Sequence, residues 1–220
     1  MKSSVKKFNL GHHNEFIYNS EMKKFLAIII LTLCFIIPSQ ANDIEDFEIE
    51  GITIFSNLLD QAEKLGVTKE FILKREIAFY PNSKRIGMLR FKNRGTFQIY
   101  DSVQFQVDTK NYKIYTVTGI LSKNTETKEK CLKKQDEIIK SLHEMAPSAK
   151  KVVDRFLKHP IDKSGKSISN GIYLDFPSEG TLSAECYIWS EELKNEGYDN
   201  NLKVNIESQE GRDFLQNEAY

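Results

Sequence analysis

Cysteine, tryptophan, proline and glycine are all scarce in this chain, with 3 Cys, 1 Trp, 5 Pro and 11 Gly in 220 residues. So few glycines and prolines exclude a collagen-like fibre or a repetitive linker. Neither sign of charge is in excess, since 31 basic residues balance 31 acidic ones. That balance excludes a general nucleic-acid binder, which needs a basic surplus to release counterions from phosphate. Histidine is rare too, with 4 in the chain. No HExxH and no paired Cys/His spacing is present, so neither a metal nor a cofactor is expected. No apolar run reaches the roughly 20 residues of a membrane-spanning helix.

The longest apolar run is Phe25–Ile37, preceded by Lys23 and Lys24 and followed by Ser39-Gln40-Ala41. A short positive start, an apolar stretch and a small-x-small site form the pattern of a secretory signal peptide. As a helix the run would rise only about 20 Å, less than a ~30 Å hydrocarbon core. The expected arrangement is a start extension over 1–21, a signal peptide over 22–41 cleaved near Ala41, and one mature domain over 42–220. The destination is periplasmic or secreted, with membrane contact only in transit. Leu33 before Cys34 is too large for a lipoprotein site, so two cysteines remain, Cys131 and Cys186. In an oxidising compartment an even pair reads as a disulfide.

Beyond the acidic lead-in 42–50, apolar residues at 55, 58, 59, 62 and 65 have helical spacing, with Thr53 or Ser56 as N-cap and Gly66 as C-cap. A second helix from about Thr68 to Glu76 would complete a helical hairpin. Strands are expected at 87–92, 97–108 and 112–121, the last two joined by Asp108-Thr109-Lys110-Asn111. The longest helix runs from about Thr125 to Met145 and sets Cys131, Ile138, Leu142 and Met145 on one stripe. Further strands follow at 152–157, 167–176, 181–189 and 202–206, then a short helix from about Ser208. Cys186 shares the apolar face of its strand with Leu182, Ala184 and Ile188, so a helix packed there would bring the two cysteines together.

Short turns between strands, with helices in separate blocks, give an α+β fold. The expectation is an antiparallel, bent sheet of about six or seven strands with helices on one face. The halves read as one helix-plus-meander unit used twice. Tandem units of this kind occur in the β-lactamase-inhibitor protein and in outer-membrane assembly lipoproteins, a likeness of fold alone.

Several segments occur together: Asp46-Phe47-Glu48-Ile49-Glu50-Gly51, Tyr100-Asp101 with Val103-Gln104-Phe105, Asp162-Lys163-Ser164-Gly165-Lys166-Ser167, Cys186-Tyr187 with Trp189-Ser190-Glu191-Glu192, and Ala219-Tyr220. The set resembles a group of small exported proteins from marine bacteria with streamlined, A+T-rich genomes. The resemblance covers nearly all of the mature chain and implies export and a shared fold, with no activity attached.

Two surfaces carry candidate chemistry. The text Ser164-Gly165-Lys166-Ser167 suggests a phosphate loop, but Pro160 stands where its first glycine belongs and a strand, not a helix, should follow. His159, Asp162, Lys163, Ser164 and Lys166 are therefore a weak loop site, the alternative being a small periplasmic hydrolase with a His159–Ser164 dyad. No G-x-S-x-G elbow supports that chemistry. The second surface is the sheet face that helices leave uncovered. Strand parity puts Tyr100, Gln104, Tyr173, Asp175, Glu185, Tyr187, Trp189 and Lys203 there, among Ser102, Thr116, Thr118, Ser183 and Asn205. Aromatics among small polar groups suit partner recognition. The function expected is thus a non-catalytic binding module for a protein or envelope component, with an envelope-associated accessory role as a further alternative.

Overall fold

The computed structural model describes residues 43–159, 161–177 and 180–220, so the start extension, signal peptide and cleavage site expected above lie outside the described residues. Eight strands occur in it: β1 (Ala78–Phe79), β2 (Ile86–Lys92), β3 (Ser102–Asp108), β4 (Ile114–Leu121), β5 (Lys150–Lys158), β6 (Ile168–Asp175), β7 (Thr181–Ile188) and β8 (Asn201–Glu207). All neighbours pair antiparallel in one open sheet of order β1-β2-β3-β4-β8-β7-β6-β5. The sheet has eight strands where six or seven were expected, and the seven segments read as strands all occur in it. The extra strand, β1, has two residues, too few for alternation to show in sequence. Each half of the chain is a four-stranded meander preceded by helical segments, and β4 and β8 join the two.

Helices are α1 (Lys69–Leu73), α2 (Lys128–Met145), α3 (Glu191–Asn195) and α4 (Gln209–Asn217). Thr68, Thr127, Ser190 and Ser208 cap their N-termini through side-chain oxygens. The expected first helix over 53–66 is instead a short 3-10 turn, Leu58–Gln61, capped by Asn57. The reason is a competing backbone partner: Phe55 N–H donates to the Ile114 carbonyl and Leu58 N–H to that of Tyr112. Those amides are bonded to the start of β4 and the turn before it, and Phe55 sits at a positive φ of 64°, so no helix can start before them.

One face of the sheet carries Leu89, Phe91, Val103, Phe105, Val117, Ile172, Leu174, Leu182, Ala184, Leu202, Val204 and Ile206, all buried. Helix α2 lies on this face. Its Cys131 bonds to Cys186 of β7, with Cα atoms 5.9 Å apart, within the range that a disulfide spans without backbone movement. One turn on, Gln135 is 1% exposed and donates to the carbonyls of Asn170 and Ala184, both at 2.6 Å, while Asn170 returns a bond to its Oε1.

Contrary to expectation, the helices are not all on one face. Helix α4 crosses to the other side, where Phe214 and Ala219 pack with Tyr80, Ile86 and Tyr115 in a second, smaller core. Phe214 and Leu215 need apolar cover, and Ile86 and Met88 of β2 provide it on that face. Gly211 lets the helix settle close, since a Cβ there would meet the Thr116 hydroxyl at 3.1 Å. Arg85 fastens both ends of the helix by ion pairs to Glu210 at 3.1 Å and Glu218 at 2.8 Å. No helix among the described residues is long and apolar enough to cross a membrane.

Candidate functional site

The face under α4 is polar yet largely withdrawn from solvent. Gln106, Thr116, Thr118, Thr181 and Ser183 are buried there. Successive strands present them in rows: Gln106, Thr116, Glu207, Thr181 in one, and Gln104, Thr118, Asn205, Ser183 in the next. Because the C-terminal segment covers only one end of these rows, a cleft of ≈ 240 Å³ remains beside it. Its floor is Gln104, Gln106, Thr116, Thr118 and Asn205, and its apolar wall is Tyr80, Met88, Leu215 and Tyr220. Charged groups close it: Glu185 and Lys203 beside Tyr187, and Glu207 towards α4.

Part of this surface is already tied down. Tyr80 Oη accepts from Gln106 Nε2 at 2.9 Å, and Gln106 Oε1 accepts from the Thr116 hydroxyl at 3.0 Å. The Glu185 carboxylate accepts from Ser183 at 3.2 Å, Asn205 at 2.9 Å and Tyr187 at 3.0 Å. Burial and the neighbouring Glu185 push the Tyr187 phenol well above its ordinary range, so it is a donor at any physiological pH. Lys203 rests over the Tyr187 ring at 4.4 Å. Burial lowers its pKa, with Arg90 adding to the effect and Glu185 opposing it. Burial raises Glu207 to about 7, against the pull of Arg212 and with help from Glu185. Arg212 itself pairs with Asp175 at 3.3 Å and donates to the Thr181 hydroxyl.

Of the face residues expected from parity, Gln104, Glu185, Tyr187 and Lys203 line the cleft. Tyr173 and Asp175 lie on the same face in β6, continuing those rows by one strand, and Asp175 is occupied by Arg212. Two expectations are corrected. Tyr100 precedes the start of β3 and turns to the core side, where its ring covers Gly119 so closely that a Cβ there would overlap it. Trp189 follows the end of β7 and is only 9% exposed. It packs between His159 (4.6 Å), Tyr198 (4.9 Å) and Tyr187 (5.9 Å) as an aromatic cluster rather than an open anchor.

The loop after β5 is built for its own geometry. Asp162 accepts from Ser164 N–H at 2.8 Å, Ser167 N–H at 2.7 Å and the Ser167 hydroxyl at 2.6 Å. These bonds hold its carboxyl well below the usual range. Lys166 pairs with Glu192 at 2.6 Å, and Lys163 is exposed. The Ser164 hydroxyl accepts from Lys166 N–H, the His159 ring faces Tyr187 and Trp189, and no hydrogen bond joins the two among the described residues. A strand, β6, follows the loop, so it has no helix N-terminus for phosphate. No group of three His, Cys, Asp or Glu side chains among the described residues is placed to hold a metal.

Sequence reasoning missed Tyr80, which follows the two-residue β1, and Leu215 and Tyr220, which reach the cleft because α4 changes faces. It also missed Glu207, which continues the parity of Lys203 and Asn205 by one more step and could have been found by extending that strand. No family model, curated protein or solved structure matches the chain.

Proposed function

We propose that the protein is an exported, non-catalytic binding module that receives a segment of a protein or envelope component in the cleft beside α4. The observation that carries this reading is the cleft itself: a row of hydrogen-bonding side chains, largely out of water, with an apolar wall along one side. Binding sites have this composition, mostly withdrawn surface with a few convergent polar groups. The disulfide between Cys131 and Cys186 supports an oxidising destination, and the signal-like segment 22–41 supports export. The loop 159–167 offers less to a hydrolase, since its polar groups are spent on each other.

The test is site-specific photo-crosslinking in the envelope of an exporting host. A photoreactive residue at Gln104, on the cleft floor, should give a discrete adduct, and one at exposed Lys133 should not. The adduct should disappear when Thr118→Trp fills the cleft in a protein that still melts cooperatively. An adduct unaffected by that filling would place binding elsewhere.

A further inference from the structure

Two ionisable side chains of opposite sign face the cleft without a partner of their own. Lys203 and Glu207 both lie on β8, with Asn205 between them, and all three point to the open face. Among the described residues the Lys203 ammonium makes no hydrogen bond or ion pair, only its contact with the Tyr187 ring. Its cross-strand neighbour Glu185 is already filled by Ser183, Asn205 and Tyr187. Glu207 also makes no hydrogen bond or ion pair among the described residues, and the Arg212 guanidinium that acts on it is bonded to Asp175 and Thr181 instead. Nor can Lys203 and Glu207 serve each other. Four residues of strand set their Cα atoms about 13 Å apart.

Lys203 and Glu207 are half-buried, and a charge drawn out of water without a partner is destabilising, so folded proteins ordinarily pair or neutralise such groups. Here both drift towards neutrality, the lysine down and the glutamate up. A ligand bearing the two complementary charges would restore both at once. We propose that the cleft binds a linear zwitterion of short-peptide length, a segment released from such a protein or envelope component with both ends free, its carboxylate at Lys203 and its ammonium at Glu207. This rests on the cleft being the binding site. An extended tripeptide is about 10 Å long, commensurate with the span between the two groups. The floor suits a peptide backbone: the Gln104 amide nitrogen is directed to Met88 Sδ at 3.5 Å, which leaves its carbonyl oxygen as an acceptor, and Thr118 adds a hydroxyl. Leu215, Tyr80 and Tyr220 flank the Glu207 end, so an apolar first side chain fits there.

Calorimetric titration of the disulfide-bonded protein at pH 7 with trialanine, N-acetyl-trialanine and trialanine amide tests this. Trialanine should bind, and each blocked form at least tenfold more weakly. Lys203→Met should abolish the penalty for amidation and keep that for acetylation, and Glu207→Gln should do the reverse. The blocked peptides make the test on the unaltered protein, so it stands even if a variant folds poorly. Equal affinity for all three peptides, or binding of none, would overturn the charge assignment. The cleft reading fails by a different result, the persistence of the Gln104 crosslink after Thr118→Trp.

Discussion

Glu207 is the residue whose cost is easiest to measure. Its carboxyl titrates near 4.5 when unfolded and about 7 when folded, so the folded state holds the proton more tightly. Stability therefore falls as pH rises from about 4.5 to 7, and the full cost, about 3 kcal/mol, applies above that window. Glu207→Gln should match the native protein in urea unfolding at pH 4 and exceed its stability by about that amount at pH 8. A difference independent of pH would show that burial does not govern this group. Trp189→Ala should cost ~3 kcal/mol or more, as removal of a buried aromatic does, because His159, Tyr187 and Tyr198 close around the ring. A loss below 1 kcal/mol in thermal unfolding would return Trp189 to the surface. Parity alone placed Gln104, Glu185, Tyr187 and Lys203 correctly. It failed at Tyr100 and Trp189 because both lie just outside their strands, where alternation no longer fixes direction.

Among the elements, α2 was legible because its apolar stripe repeats over eighteen residues, β3 and β6 to β8 because they alternate, and β4 because it is rich in β-forming residues after a turn signal. The 53–66 stretch misled for a tertiary reason. Its apolar spacing is helical, but Phe55 and Leu58 spend their amides on Ile114 and Tyr112, and a long-range partner overrides local propensity. The fastening of α2 combines a covalent bond and a buried amide at successive turns, Cys131 and Gln135. With a sequence separation of 55 between the cysteines, closing that loop stabilises by ~4 kcal/mol in the chain-entropy model. Reduction should lower the melting temperature markedly, and Cys131→Ser with Cys186→Ser should reproduce the shift. An unchanged melting temperature would mean the sulfurs do not bond in solution.

At the scale of the molecule, the two sheet faces are covered by unequal means. Helix α2 is bonded covalently to the sheet, whereas α4 is held by one small apolar cluster and the ion pairs of Arg85 and Arg212. Regions with few buried contacts open first. Hydrogen exchange followed by mass spectrometry should thus show faster exchange over 209–217 than over 131–142, and equal protection would contradict the inequality. Neither this asymmetry nor the cleft it leaves was legible in sequence, because the periodicity of α4 shows that it has an apolar side but not which sheet face that side meets.

The strand order also sets a timetable for synthesis. β4 is finished midway along the chain, yet its far neighbour is β8, the last strand to be made. Until Asn201–Glu207 has emerged, the nascent first half carries a raw, hydrogen-bond-hungry margin at what will become the middle of the sheet, and the hazard of such a margin is pairing with a neighbouring chain. The seam of this protein is sewn from the outside inwards, and its centre is vulnerable for longer than either border.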